Sequence, residues 1–362
     1  MRQYLQKIAT GPELSKDLSR EEAKNAAAQI LSGDADPVQA GIFLIALRMK
    51  RETMPENLGV LDSLLAYTNR AVSKAPEVLD LADPYDGFTR GMPAAPFLPA
   101  VLAACGVPTV SNGAESVGPK YGATHRKVLQ AAGAMVNLKP EEAAEHIADP
   151  DVGWAYVDQR FSCPALHALV DLRARIVKRP CLTTLEVLLG SVRGSNKTHL
   201  ITGYVHKPYP PIYTALARES GYDSAAIVRG VEGGVIPSLN QPSKYFSYQA
   251  LESDVETRLD PSDYGVVSST RCVSLPDDLP TRSVDDDIKG PIDADGLADA
   301  TAKAGIAALE GLPGPMRESL VYGAAIYLQH LGIFRDPTAA AKKVREVLDS
   351  GEASRRLEFS SR

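Results

Sequence analysis

The sequence predicts an α/β protein: a small helical domain, then a larger α/β domain built on a mainly parallel sheet. Three observations predict it. The first 70 or so residues carry helix start and stop signals one after another. From Glu77 onward, short apolar runs alternate with alanine-rich helical stretches, the pattern of a parallel sheet covered on both faces. The length, 362 residues, exceeds one ordinary domain, and 44% apolar with only 6% aromatic residues gives an aliphatic core.

The elements follow in order. Ser19-Arg20-Glu21-Glu22 reads as a capping box, in which the serine oxygen takes a free N–H and the glutamate reaches back to the cap. Alanine-rich sequence runs to Leu31, and Gly33 suits a left-handed stop. Asp36 caps a second helix with Pro37 at its first position, and the basic run Arg48 to Arg51 agrees with the dipole at its end. Thr53 and Glu56 predict a second capping box, opening a helix to about Tyr67. Beyond it, Val78–Leu81, Val107–Val110, Ala134–Leu138, Leu200–Tyr204 and Ala225–Val228 read as strands. Pro96–Cys105, Ala123–Ala132 and Ile212–Ser220 read as the helices between them. Residues 251–291 read as loop-rich and acidic, and three helices close the chain at about 297–309, 316–332 and 337–348.

Composition narrows the function classes. No stretch of 18 apolar residues appears, so no transmembrane helix is expected, and residues 1–23 lack the apolar core of a secretory signal. Cys105, Cys163, Cys181 and Cys272 lie far apart with no CxxC, which argues against a zinc site or a disulfide framework and fits the cytoplasm. Net charge is −6 but uneven: residues 172–209 hold seven basic side chains against one acid, whereas residues 251–310 hold fourteen acids against five basic ones. Two solvated faces of opposite sign account for this. The histidines show no metal-ligand spacing, and no Walker A, GxSxG or GxGxxG motif is present.

In a parallel sheet, ligands bind at the carboxyl ends of the strands, so those loops carry the expected chemistry. The first is Asp83 to Gly91, which holds Asp86, Gly87 and Arg90. The second is Ser111 to Gly122, where small residues and Lys120 lead toward a helix N-terminus, a pattern that suits a phosphate but also a plain βα loop. The third, Arg229 to Gly234, offers Glu232 as a carboxylate for a magnesium–phosphate ligand, and Lys178-Arg179-Pro180 adds a basic patch.

Several stretches carry a resemblance. Leu18 to Ala23, Ile30 to Gly33 and Phe43 to Lys50, with Tyr322 to Ala325 and Ser350-Gly351 near the other end, resemble the anthranilate phosphoribosyltransferase family over almost the whole chain. The resemblance implies a helical domain of residues 1–75, completed by a later segment at about 160–190. It also implies an α/β domain of residues 76–362 and a homodimer formed through the helical part. The active-site motifs match less closely. The family's GTGGDG loop, which holds phosphoribosyl pyrophosphate (PRPP), falls on Asp83 to Phe88, where Asp86-Gly87 remain. Its asparagine–serine–threonine run falls on Pro93-Ala94-Ala95-Pro96, which lacks two N–H donors and all the hydroxyls. Its HGNRSVSSKSG motif falls on the segment ending at Gly122, which keeps Gly113, Ser116, Val117, Lys120 and Gly122. There an asparagine becomes Ala114 and an arginine becomes Glu115.

The arginine that holds anthranilate in the family matches Arg179, and one acid of its metal-binding pair remains as Glu232. The implied site for substrate and phosphate is therefore Asp86, Gly87, Arg90, Gly113, Ser116, Lys120 and Arg179, with magnesium at Glu232. Two functions remain open on these residues. One is phosphoribosyl transfer from PRPP to an acceptor other than anthranilate. The other is a non-catalytic protein of the same fold that binds nucleic acid or a phosphate-bearing ligand.

Overall fold

The computed structural model describes residues 1–11, 13–279 and 292–360. Four helices open the chain: α1 (Arg2–Ile8), α2 (Arg20–Leu31), α3 (Pro37–Lys50) and α4 (Met54–Ala66). The Ser19 box forms as expected, with Glu22 N–H donating to Ser19 Oγ at 3.2 Å and the Glu22 carboxylate accepting from Ser19 N–H at 2.8 Å. At α4 the Thr53–Glu56 box also forms, with Thr53 N–H donating to the Glu56 carboxylate at 2.8 Å. The fully buried Glu56 carboxylate further accepts from the Thr53 hydroxyl at 3.0 Å and from Lys50 and the Leu18 N–H, each at 2.8 Å. That carboxylate ties three segments together. Gly59 lets α4 lie against α2: a Cβ there would stand 2.1 Å from the Arg20 carbonyl.

Later short helices, Pro164–His167, Val170–Ile176 and Leu182–Leu185, pack against these four. Gly41 of α3 faces Leu172 and Ile176, and Phe43, Leu61, Leu166 and Leu185 share one buried cluster. Inside it, Arg173 and Glu186 form a bidentate ion pair at 2.6 and 2.7 Å, both about 1% exposed.

Among the described residues the strands are β1 (Ala71–Val72), β2 (Glu77–Ala82), β3 (Thr109–Gly113), β4 (Trp154–Asp158), β5 (Val192–Arg193), β6 (Lys197–Gly203), β7 (Ser224–Val228), β8 (Ser243–Gln249) and β9 (Val255–Leu259). Among the described residues, β1 and β5 form a small parallel pair, and the main sheet runs β4-β3-β2-β6-β7-β8-β9. Its first five strands are mutually parallel, and β8 and β9 add on antiparallel. Both faces are covered, one by the helical unit and the helix Tyr209–Glu219, the other by helices including Leu98–Ala104, Ala294–Leu309 and Pro315–His330.

Three expectations are corrected. Residues 134–138 are not a strand. Among the described residues their backbone pairs with the sheet only through an isolated Leu138–Val157 bridge, because the edge strand is β4, whose Trp154 and Tyr156 are buried. The strand expected at 107–110 begins at Thr109 and runs on to Gly113. The stretch expected to be loop-rich also contains a strand, β9, and a tight turn at Pro261–Tyr264, while residues 280–291 of it lie outside the described residues. Helix Glu352–Phe359 follows the last expected one.

Candidate functional site

The loops at the carboxyl ends of β2, β3 and β7 meet in one place. Asp83, buried at the end of β2, holds them together: its Oδ1 accepts from Val235 N–H at 2.8 Å and its Oδ2 faces His125 Nε2 at 2.9 Å. Gly87 then lets two backbones touch. It sits at φ +73°, and a Cβ there would be 2.7 Å from the Ala123 carbonyl oxygen. Phe88 and Ala123 exchange N–H···O bonds of 3.0 and 2.9 Å across this contact.

That contact brings the charges together. The Asp86 carboxylate, 2% exposed, pairs with Lys120 Nζ at 3.2 Å and with Arg179 Nη2 at 2.5 Å. Lys120 Nζ lies 3.9 Å from Glu232 and 5.3 Å from the centre of the Phe88 ring. Glu232 sits in the left-handed region at φ 54°, and its carboxylate accepts from the N–H groups of Thr89 (3.2 Å) and Arg90 (2.8 Å). An L-residue is rarely held at such a φ unless its surroundings over-determine it. Two acids and two bases thus alternate as Glu232, Lys120, Asp86, Arg179. The Lys120 ammonium is shielded from solvent, yet among the described residues it has no acceptor aligned for a hydrogen bond.

Of the sequence-predicted site residues, the fold brings together Asp86, Gly87, Lys120, Arg179 and Glu232. Arg90 joins through its backbone, while its exposed side chain makes no ion pair among the described residues. Gly113 lies at the other end of the Gly113–Gly122 loop, where a Cβ would stand 3.0 Å from the Tyr156 hydroxyl, and Ser116 is half-buried in that loop. The helix expected to present Lys120 starts only at His125, and Thr124 accepts from the Lys127 N–H there, so Lys120 acts from the loop rather than from a helix end. Glu115 is half-exposed and paired with Arg126 at 3.3 Å, so its charge is offset. The basic stretch 172–209 does not form one free stripe: Arg173, Arg179 and Lys197 are ion-paired and Arg193 stacks on Tyr222.

Beside the charges lies a pocket enclosing about 420 Å³ of empty space, part of it open to solvent. Phe88 and Glu232 belong to both. The pocket walls come from Met92, Pro93, Ala94 and Ala95, from Val231 to Leu239, and from Arg271 to Val273. Residues 93–96, where the family's hydroxyl-bearing run falls, are all buried or half-buried. Burial, and then the nearby Glu232 carboxylate, raises the Cys272 thiol. Asp83, Phe88 and the 271–273 wall were not singled out as ligand-binding by sequence. The wall could not be, since it reaches the site through long-range backbone bonds, Met92 N–H to the Val273 carbonyl and Leu239 N–H to the Arg271 carbonyl.

A family profile described as "Glycosyl transferase family, helical bundle domain" matches residues 2–68. The anthranilate phosphoribosyltransferase of Rhodopseudomonas palustris (strain HaA2) is 28% identical over 352 residues, covering 97% of this chain and 94% of the relative. The chain is thus similar to anthranilate phosphoribosyltransferases over nearly its whole length. Solved anthranilate phosphoribosyltransferases share its fold. The Thermus thermophilus anthranilate phosphoribosyltransferase aligns at TM-score 0.72 with 19% identity, covering 96% of this chain and 95% of that one. The Saccharomyces cerevisiae enzyme in complex with PRPP and Mg aligns at TM-score 0.73 with 17% identity, covering 99% and 97%. No helix among the described residues is long and apolar enough to cross a membrane.

Proposed function

We propose that this chain is a divergent member of the anthranilate phosphoribosyltransferase-like family that binds a phosphate-bearing ligand in the Lys120 cleft and transfers a phosphoribosyl group to an acceptor other than anthranilate. The observation that carries this reading is the Lys120 ammonium, enclosed, flanked by Asp86 and Glu232, and left without an aligned acceptor among the described residues. Asp86 at 3.2 Å balances its charge, and a phosphate would supply hydrogen bonds that neither carboxylate makes to it. Ligand phosphate would displace the Glu232 carboxylate from the Thr89 and Arg90 N–H groups, which together form a ready anion site. Arg90 and Arg179 then add charge at the rim. Gly87 lets the backbone approach closely, and Gly113 and Ser116 shape the far end of the cleft.

Magnesium fits this donor set in one way. Among the described residues no three His, Cys, Asp or Glu side chains converge on a metal position. Magnesium, however, is commonly held by one or two carboxylates plus substrate phosphates. Glu232, released from its N–H partners, with Asp86 across Lys120, supplies that minimum for a cation arriving with a pyrophosphate. The bound cation would neutralise phosphate charge.

Two features support an acceptor other than anthranilate. Residues 93–96 offer no hydroxyl to a pyrophosphate, and Arg179, the match to the family's anthranilate-holding arginine, is already committed to Asp86. We also propose the domain limits 1–75 with 160–190, against 76–362. The protein is then a cytoplasmic homodimer through the helical part, a reading supported by the exposed apolar residues Val38, Ile42 and Met49 along α3. The test is calorimetry with pyrophosphate, with and without magnesium, on wild type and Lys120→Ala. Magnesium-dependent binding that falls at least tenfold in the variant is expected. Binding only to single-stranded DNA or RNA, without metal and steeply weakened by salt, would overturn this reading in favour of a nucleic-acid-binding role.

A further inference from the structure

We infer that Arg271 is a specificity-determining residue of this site, pairing with the second phosphoryl group of a diphosphate ligand whose first lies at Lys120. This rests on the phosphate reading of the Lys120 cleft and goes further by assigning the charged wall of the pocket beside it.

The pocket opens off the charge cluster, since Phe88 and Glu232 belong to both. Much of its lining has nothing to offer a second phosphoryl group. Pro93 and Pro237 have no N–H, and Ala94 and Ala95 have no hydroxyl. Val231 N–H bonds to the Ile236 carbonyl at 3.0 Å, Gly234 N–H to the Val231 carbonyl at 2.9 Å and Val235 N–H to Asp83 at 2.8 Å. The Ser319 hydroxyl is spent on the Pro315 carbonyl at 2.7 Å. Two charged side chains line the pocket, Glu232 and Arg271, together with the Cys272 thiol. Burial and Glu232 raise that thiol whereas Arg271 lowers it, so both charges are felt at one point of the wall.

Arg271 is held in place by its backbone. Its carbonyl accepts from Leu239 N–H and the Val273 carbonyl accepts from Met92 N–H, both at 3.0 Å. Gly91 lets this wall come close, since a Cβ there would stand 2.7 Å from the Val273 carbonyl oxygen and 2.9 Å from Cys272 Sγ. The Arg271 side chain is exposed and makes no ion pair or hydrogen bond among the described residues. Lys120 and Arg179, by contrast, are both committed to Asp86.

Glu232, Lys120, Asp86 and Arg179 sum to zero charge, so a first phosphoryl group leaves the cleft negative. A second one entering beside Glu232 is repelled unless a further cation meets it. Arg271 offsets Glu232, and its planar fork can donate two parallel N–H bonds to phosphoryl oxygens. It thus supplies from the facing wall what residues 93–96 lack. The pyrophosphate of a phosphoribosyl donor is a ligand of this class.

The test is calorimetry on the full chain at one magnesium concentration, with pyrophosphate and inorganic phosphate as probes, on wild type, Arg271→Ala and Arg271→Lys. Arg271→Ala is expected to bind pyrophosphate about tenfold more weakly, equivalent to about 1.4 kcal/mol, and inorganic phosphate within about twofold of wild type. Arg271→Lys keeps the charge and loses the fork, so its pyrophosphate affinity should fall between the two. Equal losses for both probes in Arg271→Ala, or no loss for either, overturn the inference while leaving the phosphate reading standing. Failure of the wild type to bind either probe removes the phosphate reading and the inference with it.

Discussion

Asp86→Asn is the substitution whose effect on the cleft can be worked out most directly. Among the described residues, Asp86 alone holds both Lys120 and Arg179, and it does so from a position 2% exposed. As folded, Glu232, Lys120, Asp86 and Arg179 sum to zero charge, so an incoming phosphate meets little net field. Asparagine is nearly isosteric and still accepts one hydrogen bond, so the change is chiefly one of charge. A phosphate on Lys120 would sit about 6 Å from the Asp86 carboxylate, where an effective dielectric of about 20 gives a repulsion of about 3 kcal/mol. Arg179 is 44% exposed and solvent-screened, which roughly halves that figure. The expected gain in phosphate affinity is then about tenfold, with a stability loss within about 2 kcal/mol. Titration of wild type and variant with inorganic phosphate in EDTA, at low and high salt, reads the first quantity, and a urea melt reads the second. The gain should shrink as salt rises. Unchanged or weaker phosphate binding by a folded variant would refute the idea that Asp86 neutralises the cleft.

The remaining predictions concern stability and activity. Glu186→Gln or Arg173→Met alone should lower unfolding free energy by about 3–5 kcal/mol, since each leaves a buried charge uncompensated, whereas replacing both with apolar residues should recover most of it. Single losses under about 1 kcal/mol in a urea melt would contradict this. Burial holds His330 down to about 3, so between pH 6.5 and that value the unfolded chain binds a proton that the folded one refuses. Stability should fall with acid across that window by about 2 kcal/mol at pH 5, and a pH series comparing wild type with His330→Gln should show the variant falling less. Asp80, raised to about 6 by burial, works the other way, gaining stability below pH 6, so Asp80→Asn should steepen the acid loss. The gene should not rescue growth of an anthranilate phosphoribosyltransferase auxotroph on minimal medium, and Lys120-dependent growth would show the reading of residues 93–96 to be wrong.

The sequence by itself determined the outline. Helix ends at Ser19, Asp36 and Gly33 are set by local capping chemistry, and alternating apolar runs identify a parallel sheet because burial on both faces demands them. Local patterning failed where pairing is decided at long range. Ala134–Leu138 is as apolar as a strand but is displaced by Trp154–Asp158, and β8 and β9 pair antiparallel along the β7 edge with half-exposed residues that leave little signal. The site divides the same way. Asp86, Lys120, Arg179 and Glu232 were legible as residue types in loops, but their mutual neutralisation depends on the Gly87–Ala123 contact between chain segments thirty-odd residues apart. The pocket was illegible for a further reason: its shortage of free donors follows from backbone N–H groups being spent on partners such as Asp83 and Val273, and hydrogen-bond accounting between distant segments exists only once the chain has folded.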